Sequence, residues 1–151
     1  MSQPARRALL VGVQRYLADL PDRPGTTSTL RRIAAALVDP LRQCQPHAAW
    51  EVRTLLADEA SDDRRPLLAN ILEQLSWLGA ADGDALLLVS AASATDDDGR
   101  RWLLPADARP GLLGRTAIGV DELLGAAGTR ATIIIDSPVP DSPVPDSPVP
   151  D

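Results

Sequence analysis

A chain of 151 residues, 44% hydrophobic and 24% charged, has ordinary globular composition and room for one domain with a moderate core. Its fifteen basic residues are all Arg, placed singly or in pairs, and the net charge is −6, so no basic run interleaved with aromatics offers a nucleic-acid surface. One Cys leaves no internal disulfide framework and suits a reducing compartment, and the apolar run Ala8 to Val13 is too short for a signal core or a membrane span. A cytoplasmic protein with no membrane or nucleic-acid partner is the expectation.

Ala8 to Val13 reads as a first buried strand. The Pro- and Gly-containing stretch Gln14 to Thr27 is a loop leaving its carboxyl end. Ser28 or Thr29 suits the cap of a helix whose apolar face is Leu30, Ile33, Ala34, Leu37 and Leu41, with Asp39-Pro40 ending or kinking it. Trp50 to Leu56 suits a second strand. Asp58 to Arg65 is a charged turn, and Pro66 fits the first position of a second helix carrying Leu67, Leu68, Ile71, Leu72, Leu75 and Leu78.

Asp82-Gly83-Asp84 then introduces Ala85 to Ser93, whose unbroken apolar run predicts a strand buried on both faces of a parallel sheet. Ala94 to Gly99 is an acidic loop, and Arg101 to Leu104 a short extended piece. Val120 to Ala127 predicts a third helix, with Asp121 and Glu122 in its first turn and Gly128 as its stop. Ala131 to Ile135 is a β-branched strand ending at Asp136. Alternating strands and helices with right-handed crossovers place helices on both faces of the sheet. The loops after Gln14, Ser90 and Asp136 then converge at its carboxyl edge, where open α/β sheets bind ligands.

Several local patterns resemble one family in order and spacing. They are Ala-Leu-Leu-Val-Gly-Val-Gln-Arg-Tyr at Ala8 to Tyr16, Gly25 before a helix, and Leu-Leu-Ala-Asn-Ile-Leu at Leu67 to Leu72. Gly83-Asp84, Leu-Leu-Pro-Ala-Asp-Ala at Leu103 to Ala108, Thr-Ala-Ile at Thr116 to Ile118 and Ile-Ile-Ile-Asp at Ile133 to Asp136 complete the set. Together they resemble the amino-terminal, large-subunit part of bacterial caspase-like and metacaspase-like cysteine endopeptidases.

The resemblance implies a caspase-like three-layer αβα sandwich with a mainly parallel sheet, whose carboxyl-terminal part is missing after Asp136. It also implies a general-base His in a Ser-Gly-His-Gly loop after the third strand, and a nucleophilic Cys one residue beyond an Asp-x pair after the fourth. Ser90 matches the first position of the His loop, but Ala91, Ala92 and Ser93 do not match Gly-His-Gly. Asp136 and Ser137 fit the approach to the Cys, whose position holds Pro138. Alanine at 92 has no proton acceptor, and proline at 138 has neither a nucleophilic atom nor an N–H for an oxyanion. The expectation is therefore a pseudoenzyme without catalytic residues, serving regulation or protein binding. Two alternatives stand beside it: a truncated or altered form of a genuine endopeptidase, and a generic flavodoxin-like binding module.

The remaining candidates are weaker. Cys44 and His47 are too few for a zinc site, and as a dyad they lie on a helix-to-strand loop at the opposite end of the sheet. Asp96-Asp97-Asp98-Gly99 fails the EF-hand pattern, since with Gly99 sixth the first and twelfth positions are Ala94 and Pro105. A solvated acidic turn is the better reading, with a weak cation site on some of these Asp residues as the alternative. Ser90 and Ser93 lack a His to activate them. No metal or cofactor is expected.

Residues 137–151 are Ser-Pro-Val-Pro-Asp three times, a low-complexity extended tail whose PxxP spacings carry no Arg. That leaves 1–136 as the partial domain. The Ile-rich edge of its fourth strand is expected to attract a protein partner or a second copy.

Overall fold

The computed structural model describes residues 6–39, 50–56 and 61–137. Cys44, His47, Pro138 and the repeats beyond Ser137 lie outside the described residues. The main sheet is built from β1 (Arg6–Gly12), β2 (Trp50–Leu56), β3 (Ala85–Ser90) and a last strand, β7 (Ala131–Asp136), in the order β2-β1-β3-β7. All three pairings are parallel.

Alternation along β1 divides the core into two layers. Leu9, Val11 and Val13 pack with Leu87 and Val89 beneath α2 (Leu68–Gly79) and α4 (Val120–Ala127). Ala8 and Leu10 pack with Leu88 beneath α1 (Thr26–Val38). A strand covered on both faces needs apolar residues at every position, which explains the unbroken run of β3. Helices therefore cover both faces of a mostly parallel sheet.

Between β3 and α4 the chain adds a unit that periodicity did not reveal. The strands β4 (Ser93–Thr95), β5 (Arg101–Leu103) and β6 (Ile118–Gly119) form a small antiparallel sheet, with a short helix α3 (Leu113–Thr116) before β6. The acidic loop is thus shorter than expected, because Ala94 and Thr95 belong to β4. Trp102, Leu104, Ala108 and Ala117 form a separate apolar cluster here. Leu103 and Ile118 join the main core.

Both expected helix starts are corrected. Helix α1 begins at Thr26 after Gly25, whose φ of 86° lies in the left-handed region that favours glycine. Gln14 Oε1 accepts the Thr27 N–H at 3.2 Å, while the Ser28 hydroxyl only donates to the Gly25 carbonyl. Helix α2 begins at Leu68, two residues after Pro66. The Leu68 N–H is satisfied by Asp107 Oδ1 at 2.9 Å, and the Pro66 carbonyl accepts from Ala106 N–H at 2.9 Å. On the expected α2 stripe Ile71, Leu75 and Leu78 are buried, whereas Leu72 is exposed.

The three Trp residues each lie under a guanidinium, with Arg6 over Trp50, Arg7 and Arg53 over Trp77, and Arg100 over Trp102 at 4.2 to 5.1 Å. Such stacking is a use for Arg that Lys matches poorly.

Candidate functional site

Parallel register brings Gly12, Ser90 and Asp136 side by side at the carboxyl edge of the sheet. The Val13 N–H donates to the Ser90 carbonyl at 2.9 Å, and the Ala91 N–H to the Asp136 carbonyl at 3.2 Å. The carboxyl ends of the three strands thus lie together as expected, while the chain after Ser137 lies outside the described residues. These ends are joined by two side chains that the sequence reading did not single out, Tyr16 and Arg23.

Arg23 reaches across the mouth from the loop after β1. Its guanidinium donates to Ser90 Oγ at 3.3 Å and to the Asp136 carbonyl at 3.4 Å, and lies 3.6 Å from Asp136 Oδ2. Ser90 Oγ in turn donates to Asp136 Oδ2 at 3.1 Å. The hydroxyl is thus held between a cation and a carboxylate, with no imidazole in the network among the described residues. A carboxylate is by nature a weak base for an alcohol proton, and these contacts fix Ser90 in place rather than activate it.

Ala92 takes a different orientation from Ser90. Its N–H donates to the Tyr16 hydroxyl oxygen at 2.6 Å, and its carbonyl accepts from Leu104 N–H at 2.9 Å. Its methyl group packs against the Trp102 and Leu104 cluster, alongside Tyr16 and Leu20. The position that the resemblance assigns to a general base is therefore part of a small apolar core, and its backbone donor is already used.

On the α1 side an open groove of about 610 Å³ runs past Arg23, Gly25, Thr26, Leu88, Ser90 and Asp136. Thr29, Leu30 and Ile33 of α1 line it together with Leu88 and Ser90 of β3.

Burial pushes the Tyr16 phenol above its ordinary pKa, an effect opposed by the Ala92 N–H and by Arg23. Below the ordinary phenol pKa of about 10 the folded and unfolded chains are both protonated, and the neutral phenol costs nothing. As pH rises from there through the raised folded value, the unfolded chain ionises first and stability is lost. Tyr16 is the sole tyrosine, so ultraviolet phenolate absorbance reads it directly. The native midpoint is expected above that of the urea-unfolded chain, and Tyr16→Phe is expected to lose less stability on the alkaline side. Coincident native and unfolded midpoints would refute this placement.

The acidic turn is organised by Asp96. Its Oδ1 accepts from Asp98 N–H at 3.0 Å and Arg100 N–H at 2.9 Å, and its Oδ2 from Trp102 Nε1 at 3.0 Å. These donors, the indole first, hold its carboxyl below the usual range. The carboxylate is engaged by its own β4–β5 turn. Among the described residues no group of three or more His, Cys, Asp or Glu side chains converges as a metal site. Among them, too, no helix is long and apolar enough to cross a membrane. Ser93 lies in β4, paired with Leu103, away from the Ser90 network.

No family model matches the chain, and no curated protein matches it. The family resemblance thus rests on the motifs quoted above.

Proposed function

We propose that this chain is a caspase-like module that does not hydrolyse peptides and acts by binding protein. The observation that carries this reading is the state of position 92, a methyl group turned into an apolar cluster with its N–H given to Tyr16. Neighbouring Ser90 is tied into the Arg23 and Asp136 network, and among the described residues no imidazole stands beside it to activate a nucleophile. With base and nucleophile both missing, the remaining donors are worth little, because loss of either member costs about as much as loss of the pair.

The purified chain is expected to give no cleavage above blank of fluorogenic peptides ending in Arg, Lys or Asp, with or without alkylation of Cys44. Cleavage abolished by alkylation would overturn the proposal.

The second reading, a flavodoxin-like binding module, is compatible with the strand order. Sheets of that class run two-one-three-four, the order seen here, so order alone does not separate the two. In that class the ligand occupies the crevice where the order reverses, between the carboxyl ends of β1 and β3. Here Tyr16 and Arg23 cross that end of the sheet and bond to Ala92 and Ser90. This favours the first reading.

A further inference from the structure

We propose that β7 is a dimerisation edge, on which two copies of the chain pair antiparallel about a two-fold axis at Ile133 to make one continuous sheet. It rests on the backbone and side chains of β7 and on Arg130 just before it, and holds whichever reading of the mouth is right.

The backbone comes first. Because the Asp136 carbonyl accepts from Ala91 in parallel register, Asp136, Ile134 and Thr132 turn their N–H and C=O groups toward β3. Those of Ile133 and Ile135 point away from β3, and among the described residues no strand pairs with them. The strand Ala131–Asp136 contains no Pro or Lys, which folded proteins use to blunt such edges. The repeats that follow are poor material for covering it, since two of every five residues are Pro, without an N–H.

The side chains then favour a second copy in one register. Antiparallel pairing centred on Ile133 sets Ala131 opposite Ile135 of the second copy, and these are the residues whose outward backbone groups exchange hydrogen bonds. On the α1 face it sets Thr132 opposite Ile134, which is 49% exposed in the single chain. At both ends it sets Arg130 opposite Asp136 of the second copy. Both side chains are accessible: Asp136 is 69% exposed despite its contact with Arg23, and Arg130, on the exposed turn just before β7, donates to the Asp82 carbonyl at 2.9 Å. A register one residue further along, centred on Ile134, pairs Asp136 with Thr132 and loses both charge pairs. Opposite charges directly across a strand pair stabilise it, and like charges destabilise it.

The test is sedimentation of the full chain across concentration, with Ile133→Pro and Arg130→Glu beside the wild type. A reversible dimer is expected. Ile133→Pro removes an outward N–H that β3 does not use, and is expected to leave a monomer with unchanged circular dichroism. Arg130→Glu gives up an exposed hydrogen bond to the Asp82 carbonyl, so its circular dichroism is compared with the wild type, and it is expected to weaken association by roughly tenfold.

In a Cys44→Ser background, mild oxidation is expected to cross-link Ile133→Cys, whose Cα atoms face across the axis at about 5.5 Å, within disulfide range. Ile134→Cys is expected to stay largely uncross-linked, since its nearest copy is a diagonal neighbour about 7–8 Å away. Three results would each overturn the proposal: a monomer at every concentration, a dimer unaffected by Arg130→Glu, or a stronger cross-link at 134 than at 133.

Discussion

Leu87→Ala is expected to lower the unfolding free energy by about 2–5 kcal/mol, a large part of the roughly 5–15 kcal/mol that a domain possesses. Leu87 is fully buried in β3, in register with Leu9 on one side and Ile133 on the other. Its side chain belongs to the layer roofed by α2 and α4, where Ile71, Leu75, Leu78 and Leu123 are also buried. Truncation removes apolar atoms from water exclusion and leaves a cavity between a sheet and two helices, none of which can collapse without disturbing the others. Ile134→Ala, in β7 but half exposed, is expected to cost under about 1 kcal/mol in the monomer. Urea titration of both variants at one low protein concentration checks the contrast, and equal losses would refute the assignment of the core.

Gly79→Ala is expected to destabilise the chain by about 1–3 kcal/mol although helix propensity alone argues for a gain of up to about 1 kcal/mol. Gly79 closes α2, and a Cβ built on it would lie 2.4 Å from the Ala126 carbonyl oxygen of α4. The obstacle is backbone, so no rotamer change relieves it, and the two helices must move apart. Propensity acts weakly at a helix end, whereas separating α2 from α4 loosens the roof over Leu87. Thermal melting of the variant checks the sign. A raised melting temperature would show that the helices approach less closely than described.

Much of this architecture is legible in the residues, and the misses have physical causes. β7 and α4 are read from local signals alone, a β-branched run before Asp136 and a helical stripe stopped by Gly128. The starts of α1 and α2 are misread because their N–H groups are satisfied from elsewhere, by Gln14 and by Asp107, which lies 39 residues further along. Local cap rules favour Ser28 and Pro66 in such cases and fail. β6 has two residues and β4 three, too few for a period to appear.

At the mouth, the meeting of the carboxyl ends of β1, β3 and β7 follows from strand order, and so do the places of Ser90 and Asp136. The roles of Tyr16 and Arg23 do not. Each sits on an irregular loop whose path no pattern encodes, although a lone tyrosine and an arginine leaving the end of a first strand are a signal worth weighing.

The borrowed carboxylate of Asp107 has a consequence for how the chain comes apart. Because the first turn of α2 is completed by a residue beyond the β5 strand, detaching that distant segment strips the turn of an acceptor and couples the two. A single cooperative transition on heating is therefore expected, with amide exchange at Leu68 slowing or quickening together with that of β5.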